Sequence, residues 1–417
     1  MKKLAGLFLA VALLASFSFA QHYRSYRGES AQVKDFGWRL GPFRIFPVLN
    51  IHNTGYDDNV YGQPEEAGPV SDFTGTLAPS VRVYLPVGRK IFFSLTETPQ
   101  YVYYRKEKKR RRFLNSISPA VRLFLFNRFV ISAEYHHRRF WHRATEEFDR
   151  MVGQTTKGYS TSLFYETTRR TSIGFTAAAN KMSYGDDSSF DSDLQFSRAL
   201  NRESGSGFID FYYQFRRETF FFWRGGYTEF SFDSPESKFR GGHAYVTNTG
   251  VRFPLTRKIR GTISVGYSKY FPEQEGREEF SGFTGDTNLD IRLRKFAIRL
   301  NHSRGRRISY WSIQSYFTQS HYGAGLSYYL LKSLRADYNY GYGRMSYPEP
   351  TSVILPGGGT NEVFRKDSYH THSVGIVFRI IKSTGLGITF NAWRRNSNFP
   401  GTDRRRNFIG GFLTHQF

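Results

Sequence analysis

Apolar and polar residues alternate, one position in two, along many short stretches of this chain. In SVRVYLP, Val81, Val83 and Leu85 share one face and Arg82 lies on the other. The stretches NLDIRLR, KFAIRLN, GTISVGYS and GLGITFNAW repeat this pattern. Because successive side chains of a β-strand point to opposite faces, the alternation predicts strands with one apolar and one polar face.

The connections between these strands are of two unequal kinds. Long polar connections, such as TGYDDNVYGQPEEAGPVS and PEPTSVILPGGGTNEVFRKD, alternate with very short ones. We expect the short turns near Pro86–Arg89, Asn127–Arg128, Arg169–Thr171, Asn201–Gly205, Thr256–Lys258, Arg294–Lys295, Leu331–Ser333 and Ile381–Thr384. Short turns at one end and long loops at the other are typical of outer-membrane barrels.

Eight short turns and nine long loops give 18 strands, an even number as a closed single-chain barrel requires. The predicted fold is therefore all-β: a transmembrane, antiparallel, up-and-down β-barrel of about 18 strands. The stretch 206–242 is the ambiguous one, and we interpret it as one long strand, with 16 or 20 strands as the alternatives. A barrel of this size is wide enough for an aqueous channel.

Composition supports this interpretation. Hydrophobic residues make up only 39% of the chain and mean hydropathy is −0.51, yet aromatic residues reach 18%. No apolar run after the first 20 residues approaches the length of a membrane-spanning helix, and a disordered chain would be poor in aromatic residues. Apolar side chains spread over every second position of many strands satisfy both observations.

The N-terminus indicates export. Lys2 and Lys3 precede a short apolar run that ends in Ser18-Phe19-Ala20, which predicts a signal peptide over 1–20. We expect a short polar periplasmic arm over 21–41 and the barrel over 42–417, in the outer membrane of a diderm bacterium. The chain has no Cys, which excludes a lipoprotein anchor and disulfides.

The basic block YRKEKKRRRF, residues 104–113, is the densest run of charge in a chain of net charge +24. An exported protein does not meet the genome, so we expect no nucleic-acid partner. The block lies between two predicted strands and is expected at the tip of an external loop. There it would contact water, or the phosphates and sugars of outer-membrane lipid and lipopolysaccharide.

Catalytic and metal-binding signatures are weak. Asp57, Asp58 and Asn59 carry oxygen ligands suited to Ca²⁺, but we prefer an Asx-type turn, and we interpret the pair 186–187 in the same way. His136 and His137 are adjacent, so in a strand they face opposite sides and cannot share a metal. The sequence contains no G-x-S-x-G, H-E-x-x-H or P-loop motif. We expect no enzymatic activity, metal or cofactor.

Arginines fall on the polar face of several predicted strands. An arginine-lined pore favours anions, whereas acidic neighbours such as Glu134 and Asp290 would balance part of this charge. Lys and Arg outnumber Asp and Glu by 59 to 35, so an anion-favouring pore is preferred. The candidate pore-lining residues are Arg82, Arg122, Arg138, Arg252, Arg292, Arg294, Arg299 and Arg379.

Each predicted short turn also carries at least one basic residue. Such a ring at the periplasmic rim would suit anionic headgroups or an acidic partner protein. Its candidate members are Arg89, Arg128, Arg169, Arg170, Arg202, Arg257, Lys258, Lys295, Lys332 and Lys382.

The last predicted strand, RRNFIGGFLTHQF, ends on Phe417. A terminal aromatic residue on a final strand resembles the signal that the outer-membrane assembly machinery recognises. By this resemblance Phe417 is the candidate assembly signal.

The chain also resembles a family, Putative beta-barrel porin 2, in FPVLNIHNTGYDDNVYG, in SDFTGTLAPSVRVYLP and in the strand rhythm that follows. The family is associated with exopolysaccharide synthesis and export. The resemblance implies an exit pore for a secreted polysaccharide that works with a periplasmic polysaccharide-export protein. The alternatives are a general diffusion porin and a structural or adhesive surface barrel with a plugged lumen. Inward-folded, apolar loops would favour the plugged barrel, and an open arginine-lined lumen would favour transport.

Overall fold

The protein is described by a computed structural model. The residues described are 37–143, 147, 151–185, 200–216, 218–254, 256, 258–309, 314–354 and 360–417. The expected signal peptide and most of the expected arm lie outside them.

Nearly all of the described chain is β-strand, in one antiparallel sheet. Strands β2 to β19 pair in chain order, and β19 pairs with β2, so 18 strands close into a barrel as predicted. The short β1 pairs with the first residues of β2 and lies outside the closed ring of 18 strands. The strands are β1 (Trp38–Leu40), β2 (Phe43–Asp57), β3 (Asp72–Val87), β4 (Ile91–Tyr104), β5 (Arg112–Leu125), β6 (Phe129–Arg143), β7 (Met151–Glu166), β8 (Thr171–Gly185), β9 (Arg202–Arg216), β10 (Thr219–Phe232), β11 (Gly242–Pro254), β12 (Ile259–Pro272), β13 (Phe280–Arg292), β14 (Phe296–Ile308), β15 (Tyr316–Tyr329), β16 (Leu334–Ile354), β17 (Thr360–Ile381), β18 (Thr384–Ser397) and β19 (Arg404–Gln416).

Two local predictions are wrong, and the errors cancel in the strand count. The stretch 206–242 is not one strand: β9 ends at Arg216, β10 begins at Thr219, and the two pair as a hairpin. The segment expected to turn at Asn201–Gly205 instead leads out of a long connection into β9. Apolar aromatic residues on both faces of FYYQF and TFFFW hide the two-residue period, and the turn contains none of the Gly, Pro or Asn that usually mark one.

The two ends of the barrel differ as the sequence predicted. Tight turns join the strands at one end, the short-turn end, and longer connections join them at the other, the long-loop end. In the β5–β6 turn Phe126 and Asn127 have positive φ of 52° and 56°, the geometry of a two-residue hairpin turn that matches strand twist. The last strand also ends at the short-turn end, where the Phe417 amide donates to the Pro47 carbonyl at 3.2 Å. In outer-membrane barrels the short-turn end faces the periplasm.

Register separates the outward face from the lumen face. Leu77, Tyr101 and Phe113 lie opposite one another on β3, β4 and β5, and all three are exposed. On the other face of the same strands, Val102, Tyr104 and Leu114 are buried together. Trp141 on β6 joins this cluster and donates to the Tyr104 hydroxyl on β4 at 3.2 Å. Side chains of non-neighbouring strands meet only inside a closed barrel, so this is the lumen face.

No helix among the described residues is long and apolar enough to cross a membrane.

Candidate functional site

Seven of the eight candidate pore-lining arginines occupy lumen-face positions. Arg82 lies opposite Phe46, and Arg122 lies opposite Phe92, which is buried in the lumen wall. The same parity along their strands places Arg138, Arg252, Arg292, Arg299 and Arg379 on the lumen face. Arg294 is different, because β13 ends at Arg292 and Arg294 lies in the turn that follows.

Six of these seven cluster within a few residues of the short-turn end, and we call them the inner arginines: Arg82, Arg122, Arg252, Arg292, Arg299 and Arg379. Arg82, Arg292 and Arg379 are exposed, and no described residue forms an ion pair with them. Arg299 contacts Asp290 at 3.2 Å, but its side chain is 70% exposed, so water screens that pair. The result is positive charge that faces open lumen water.

Arg138 lies farther up the lumen, on β6, and is balanced. Its guanidinium lies 3.6 Å from Glu134 on the same face of the strand. The acidic balance that the sequence suggested therefore applies to Arg138 and, in part, to Arg299.

Beside the inner arginines is an apolar patch that the sequence did not reveal. Phe92, Phe124 and Val130 are buried, and Phe46, Tyr84 and Phe164 pack against them on the lumen face. Tyr84 contacts the ring of Phe92 with centroids 5.3 Å apart. Alternation predicts polar residues at lumen positions, so it does not predict this patch. The one signal in the sequence is consecutive aromatic residues such as Phe92-Phe93, which place an aromatic side chain on each face of the strand.

The middle of the lumen is nearly neutral along much of the wall. On β15 to β18 most of its inward positions hold glycine and small polar residues: Gly323, Gly325, Asn339, Gly341, Thr371, Ser373, Gly375, Thr389 and Asn391. Two larger or charged residues interrupt it, Asp337 opposite Gly375 and Trp393 opposite Thr371. On the opposite wall, hydroxyl groups pair across strands, as Ser132 and Ser162 do at 2.7 Å. This belt presents hydroxyl and amide groups to the lumen water.

At the long-loop end the β2–β3 connection folds inward. Val60, in that connection, is buried against Tyr104, Leu114 and Trp141. Part of the basic block completes this packing, which corrects the expectation of a wholly solvated loop tip. Arg110 is only 4% exposed; its guanidinium lies 3.8 Å from the centre of the Tyr61 ring and donates to the Val60 carbonyl at 3.0 Å.

Four other cations of the block lie at a solvated tip as predicted, whereas Tyr104 is buried and Arg111 and Arg112 are half-buried. Arg105, Lys106, Lys108 and Lys109 are exposed at the tip of the β4–β5 connection. The block is therefore divided between a solvated tip and a buried base, because Tyr104 at the end of β4 and Arg110 just before β5 both pack inside the barrel.

Further round the long-loop end, a buried ion pair within β17 is hydrogen-bonded to the neighbouring strand β18. Arg365 and Asp367 on β17 are 1% and 0% exposed in their side chains and form a bidentate pair, with Nε to Oδ1 at 3.0 Å and Nη2 to Oδ2 at 2.5 Å. Asp367 also accepts from Ser397 on β18 at 2.6 Å. Such a carboxylate is satisfied from several sides.

One contact reaches across the outer opening. Glu147, from the β6–β7 connection, accepts from Ser309 beyond β14 at 2.7 Å, and its carbonyl accepts from Arg395 on β18 at 2.6 Å. These elements are far apart around the barrel, so the contact is made over the lumen. The long-loop end is therefore narrowed by inward-folded, tightly bonded connections.

The expected basic rim is present with one change. Arg202 begins β9 at the long-loop end, so it is not a rim residue, whereas Arg216 ends β9 at the short-turn end. Position 257 lies outside the described residues. The other predicted members, Arg89, Arg128, Arg169, Arg170, Lys258, Lys295, Lys332 and Lys382, are exposed in the short turns.

The acidic and histidine motifs have structural roles. The Asn59 amide donates to Asp57 Oδ1 at 3.1 Å, which confirms the Asx-type turn, and Arg406 Nε donates to the same carboxylate at 2.8 Å. His136 is buried on the lumen face and His137 lies on the other face, as predicted. Positions 186–187 lie outside the described residues. Among the described residues no group of three or more potential ligands could hold a metal.

Comparison with known proteins agrees with this architecture. Structures similar in fold include Pseudomonas aeruginosa OccK1 (OpdK), with a TM-score of 0.52, 9% identity, and coverage of 91% of this chain and 99% of that one. Pseudomonas aeruginosa OccK3 (OpdO) gives a TM-score of 0.50 and 11% identity over 89% of this chain and 95% of that one. At such identity the likeness shows the fold alone. No relative was found among curated proteins.

The sequence profile of one family, Putative beta-barrel porin 2, matches residues 33–417, which is nearly the whole chain. That range holds the 18 barrel strands, the inner arginines and the final strand to Phe417. A porin-like barrel of this kind belongs to the bacterial outer membrane. The chain is therefore a member of the Putative beta-barrel porin 2 family.

Proposed function

We propose that this porin-like barrel is a diffusion channel that favours small anionic solutes. The observation that carries the proposal is the set of inner arginines, of which Arg82, Arg292 and Arg379 are exposed on the lumen face without an acidic partner among the described residues. Fixed positive charge along a water-filled path raises the local concentration of anions and deters cations. Passage through the lumen involves no catalytic step.

The narrowed long-loop end would limit solute size. Solutes that enter from outside must pass the bonded connections around Arg110, Glu147 and Arg365 before they reach the inner arginines. Size selection at the outer opening and charge selection at the inner end are thus separate steps along one path.

Reversal potentials in planar bilayers test this proposal. The variant Arg82→Gln, Arg292→Gln, Arg299→Gln and Arg379→Gln removes four lumen charges and should shift the reversal potential toward cation permeation. The matched control changes Arg105, Lys106, Lys108 and Lys109 to Gln, which removes the same charge from the exposed loop tip, and should shift it far less. A cation-selective or non-conducting wild-type barrel would contradict the proposal, and the non-conducting result would favour a plugged structural barrel.

Polysaccharide export is the second candidate, and the neutral belt of the lumen supports it. Glycine, hydroxyl and amide groups such as Asn339, Thr371 and Asn391 match the hydrogen-bonding groups of a sugar polymer without binding it tightly. Export would require the outer connections to move aside, and the basic rim would then face a periplasmic export protein. Deletion of the gene should reduce surface polysaccharide if this candidate is correct. If the amount of surface polysaccharide is unchanged and the purified barrel conducts normally, the export function is excluded and the diffusion channel remains.

A further inference from the structure

Five exposed cations form a band on the outer wall of β14 to β19, near the long-loop end. They are Arg304, Arg344, Lys366, Arg394 and Arg405, and we call them the basic collar. Register links them: Arg304 lies opposite Ser320, which in turn lies opposite Arg344. Arg394 and Arg405 lie directly opposite each other on β18 and β19. All five therefore face away from the lumen, on the same side of the barrel.

The collar lies immediately above an aromatic ladder on the same face. His302, Tyr322, Tyr342 and His370 occupy neighbouring strands in sequence, with ring centroids 4.7, 6.3 and 5.0 Å apart. The ladder lies one outward-facing position below the collar on each strand. His302 is two residues from Arg304, and Tyr342 is two residues from Arg344. Tyr340 and His372 continue the aromatic row directly below the ladder, and farther down the outward face carries exposed apolar residues such as Leu326, Val374 and Ile388.

This order matches the layers of a membrane boundary. Aliphatic side chains suit acyl chains, aromatic residues with a polar edge suit the headgroup level, and cations beyond them suit the phosphate level. Because the collar is at the long-loop end, the lipid in question is that of the outer leaflet.

The collar's charge is uncompensated, which requires an explanation. None of the five side chains forms an ion pair with a described residue; Arg394 Nε donates only to the Asn396 amide oxygen at 3.1 Å. Like charges directly opposite on adjacent strands, such as Arg394 and Arg405, are destabilising unless an anion lies between them. A phosphate group would supply that anion and accept hydrogen bonds from both guanidinium groups.

The outward face of β4 to β12 is different. Its cations Arg139, Lys157, Lys181 and Lys269 stand among the acids Glu97, Glu203 and Glu229. Lys181 pairs with Glu203 at 2.8 Å, and Lys269 pairs with Glu279 at 3.5 Å. Lys157 lies directly opposite Lys181, but the ion pairs of Lys181 and Lys269 balance part of the charge on this face, whereas none of the five collar cations has an ion pair among the described residues.

We propose that the basic collar is a binding site for a phosphorylated glycolipid of the outer leaflet, with its phosphates on the collar and its acyl chains against the face below the aromatic ladder. A lipid is favoured over a soluble acidic saccharide because the collar adjoins apolar wall rather than the lumen. The site is independent of conduction, since it lies on the outer surface.

Binding of hexa-acyl, bisphosphorylated lipid A to the detergent-solubilised, folded barrel tests this site by native mass spectrometry. The variant Arg304→Gln, Arg344→Gln, Arg394→Gln and Arg405→Gln should weaken binding about tenfold or more, since each cation at a phosphate surface contributes several-fold. The matched control, Arg139→Gln, Lys157→Gln, Lys181→Gln and Lys269→Gln, removes the same charge from the outward face of other strands, β6 to β8 and β12, and should change binding less than twofold.

Two further arms use the unaltered protein, so the result does not depend on variant folding. Dephosphorylated lipid A should bind as weakly to the unaltered barrel as lipid A binds to the collar variant. The phosphorylated core oligosaccharide without acyl chains should fail to displace lipid A at equal concentration. An equal loss of lipid A affinity in the collar variant and the control variant would show that binding depends only on net charge, and it would overturn the proposed site. Equal binding of dephosphorylated lipid A, or displacement by the oligosaccharide, would overturn the phosphoglycolipid assignment.

Discussion

Arginine side chains have different environments at the two ends of the lumen. At the long-loop end Arg365 and Arg110 are buried, one in a bidentate pair with Asp367 and the other against the Tyr61 ring. At the short-turn end Arg82, Arg292 and Arg379 extend into lumen water with no acidic partner among the described residues. The same side chain therefore packs and pairs within the protein at one end, and at the other it supplies the charge on which the proposed anion preference rests.

The difference follows from solvation. A buried guanidinium has lost its water and must be satisfied by carboxylate, carbonyl or aromatic groups, so its removal or isolation is costly. An exposed guanidinium keeps its water, so it contributes little to stability while its charge still acts over a Debye length of about 10 Å. Burial, rather than residue type, separates structural arginines from functional ones.

The largest effect is expected at the buried pair. Asp367→Asn keeps the side chain's shape but leaves Arg365 buried without its carboxylate, which should lower the free energy of unfolding by about 3 kcal/mol. The mobility shift of unheated samples in urea measures this. Asp290→Asn, which breaks the exposed Arg299 pair, is the control and should cost less than about 1 kcal/mol. Equal losses would remove the contrast between the two ends.

The basic block should show the same contrast within a few residues. Arg110→Ala removes a desolvated guanidinium from the Tyr61 ring and the Val60 carbonyl, and should lower stability by about 2 kcal/mol. Lys108→Ala, at the exposed tip, should leave the midpoint of urea unfolding unchanged. Unchanged stability of the Arg110 variant would mean that the base of the block is as solvated as its tip.

Phe417 tests a role of the short-turn end in assembly. Its ring packs edge-on against Trp38 and His415, with centroids 6.2 and 4.4 Å away, and remains half exposed. Phe417→Ala should reduce the amount of folded barrel in the membrane several-fold, because the assembly machinery loses its signal, while the barrels that do form unfold almost normally. Ile409→Ala, an exposed outward residue of the same strand, is the control. Normal folded levels of the Phe417 variant would refute the assembly role.

The smallest effect on stability is expected for the exposed inner arginines. The triple variant Arg82→Gln, Arg292→Gln and Arg379→Gln should unfold within about 0.5 kcal/mol of the wild type. Its anion preference should nevertheless fall, and the difference from wild type should shrink as salt rises from 0.1 to 1 M, because the Debye length falls to about 3 Å. A large loss of stability would show that these arginines support the wall as Arg365 does.

The sequence by itself determined the barrel and its polarity, whereas the count of 18 strands was right only because two local errors cancelled. Period-2 alternation specifies which face each side chain takes, and unequal connections specify which end it is near, so Arg82, Arg292 and Arg379 were placed correctly from local pattern alone. The pattern failed at 206–242, where aromatic residues on both faces erase the period that register depends on.

Only the tertiary structure decided which charges are free. Arg110 and Arg111 are neighbours in the basic block, yet only Arg110 is buried, because the β2–β3 connection brings Val60 and Tyr61 over it. Likewise, Arg394 and Arg405 become opposite each other only when β18 pairs with β19. Burial and cross-strand charge depend on contacts between distant parts of the chain, and alternation, a local property, does not contain them.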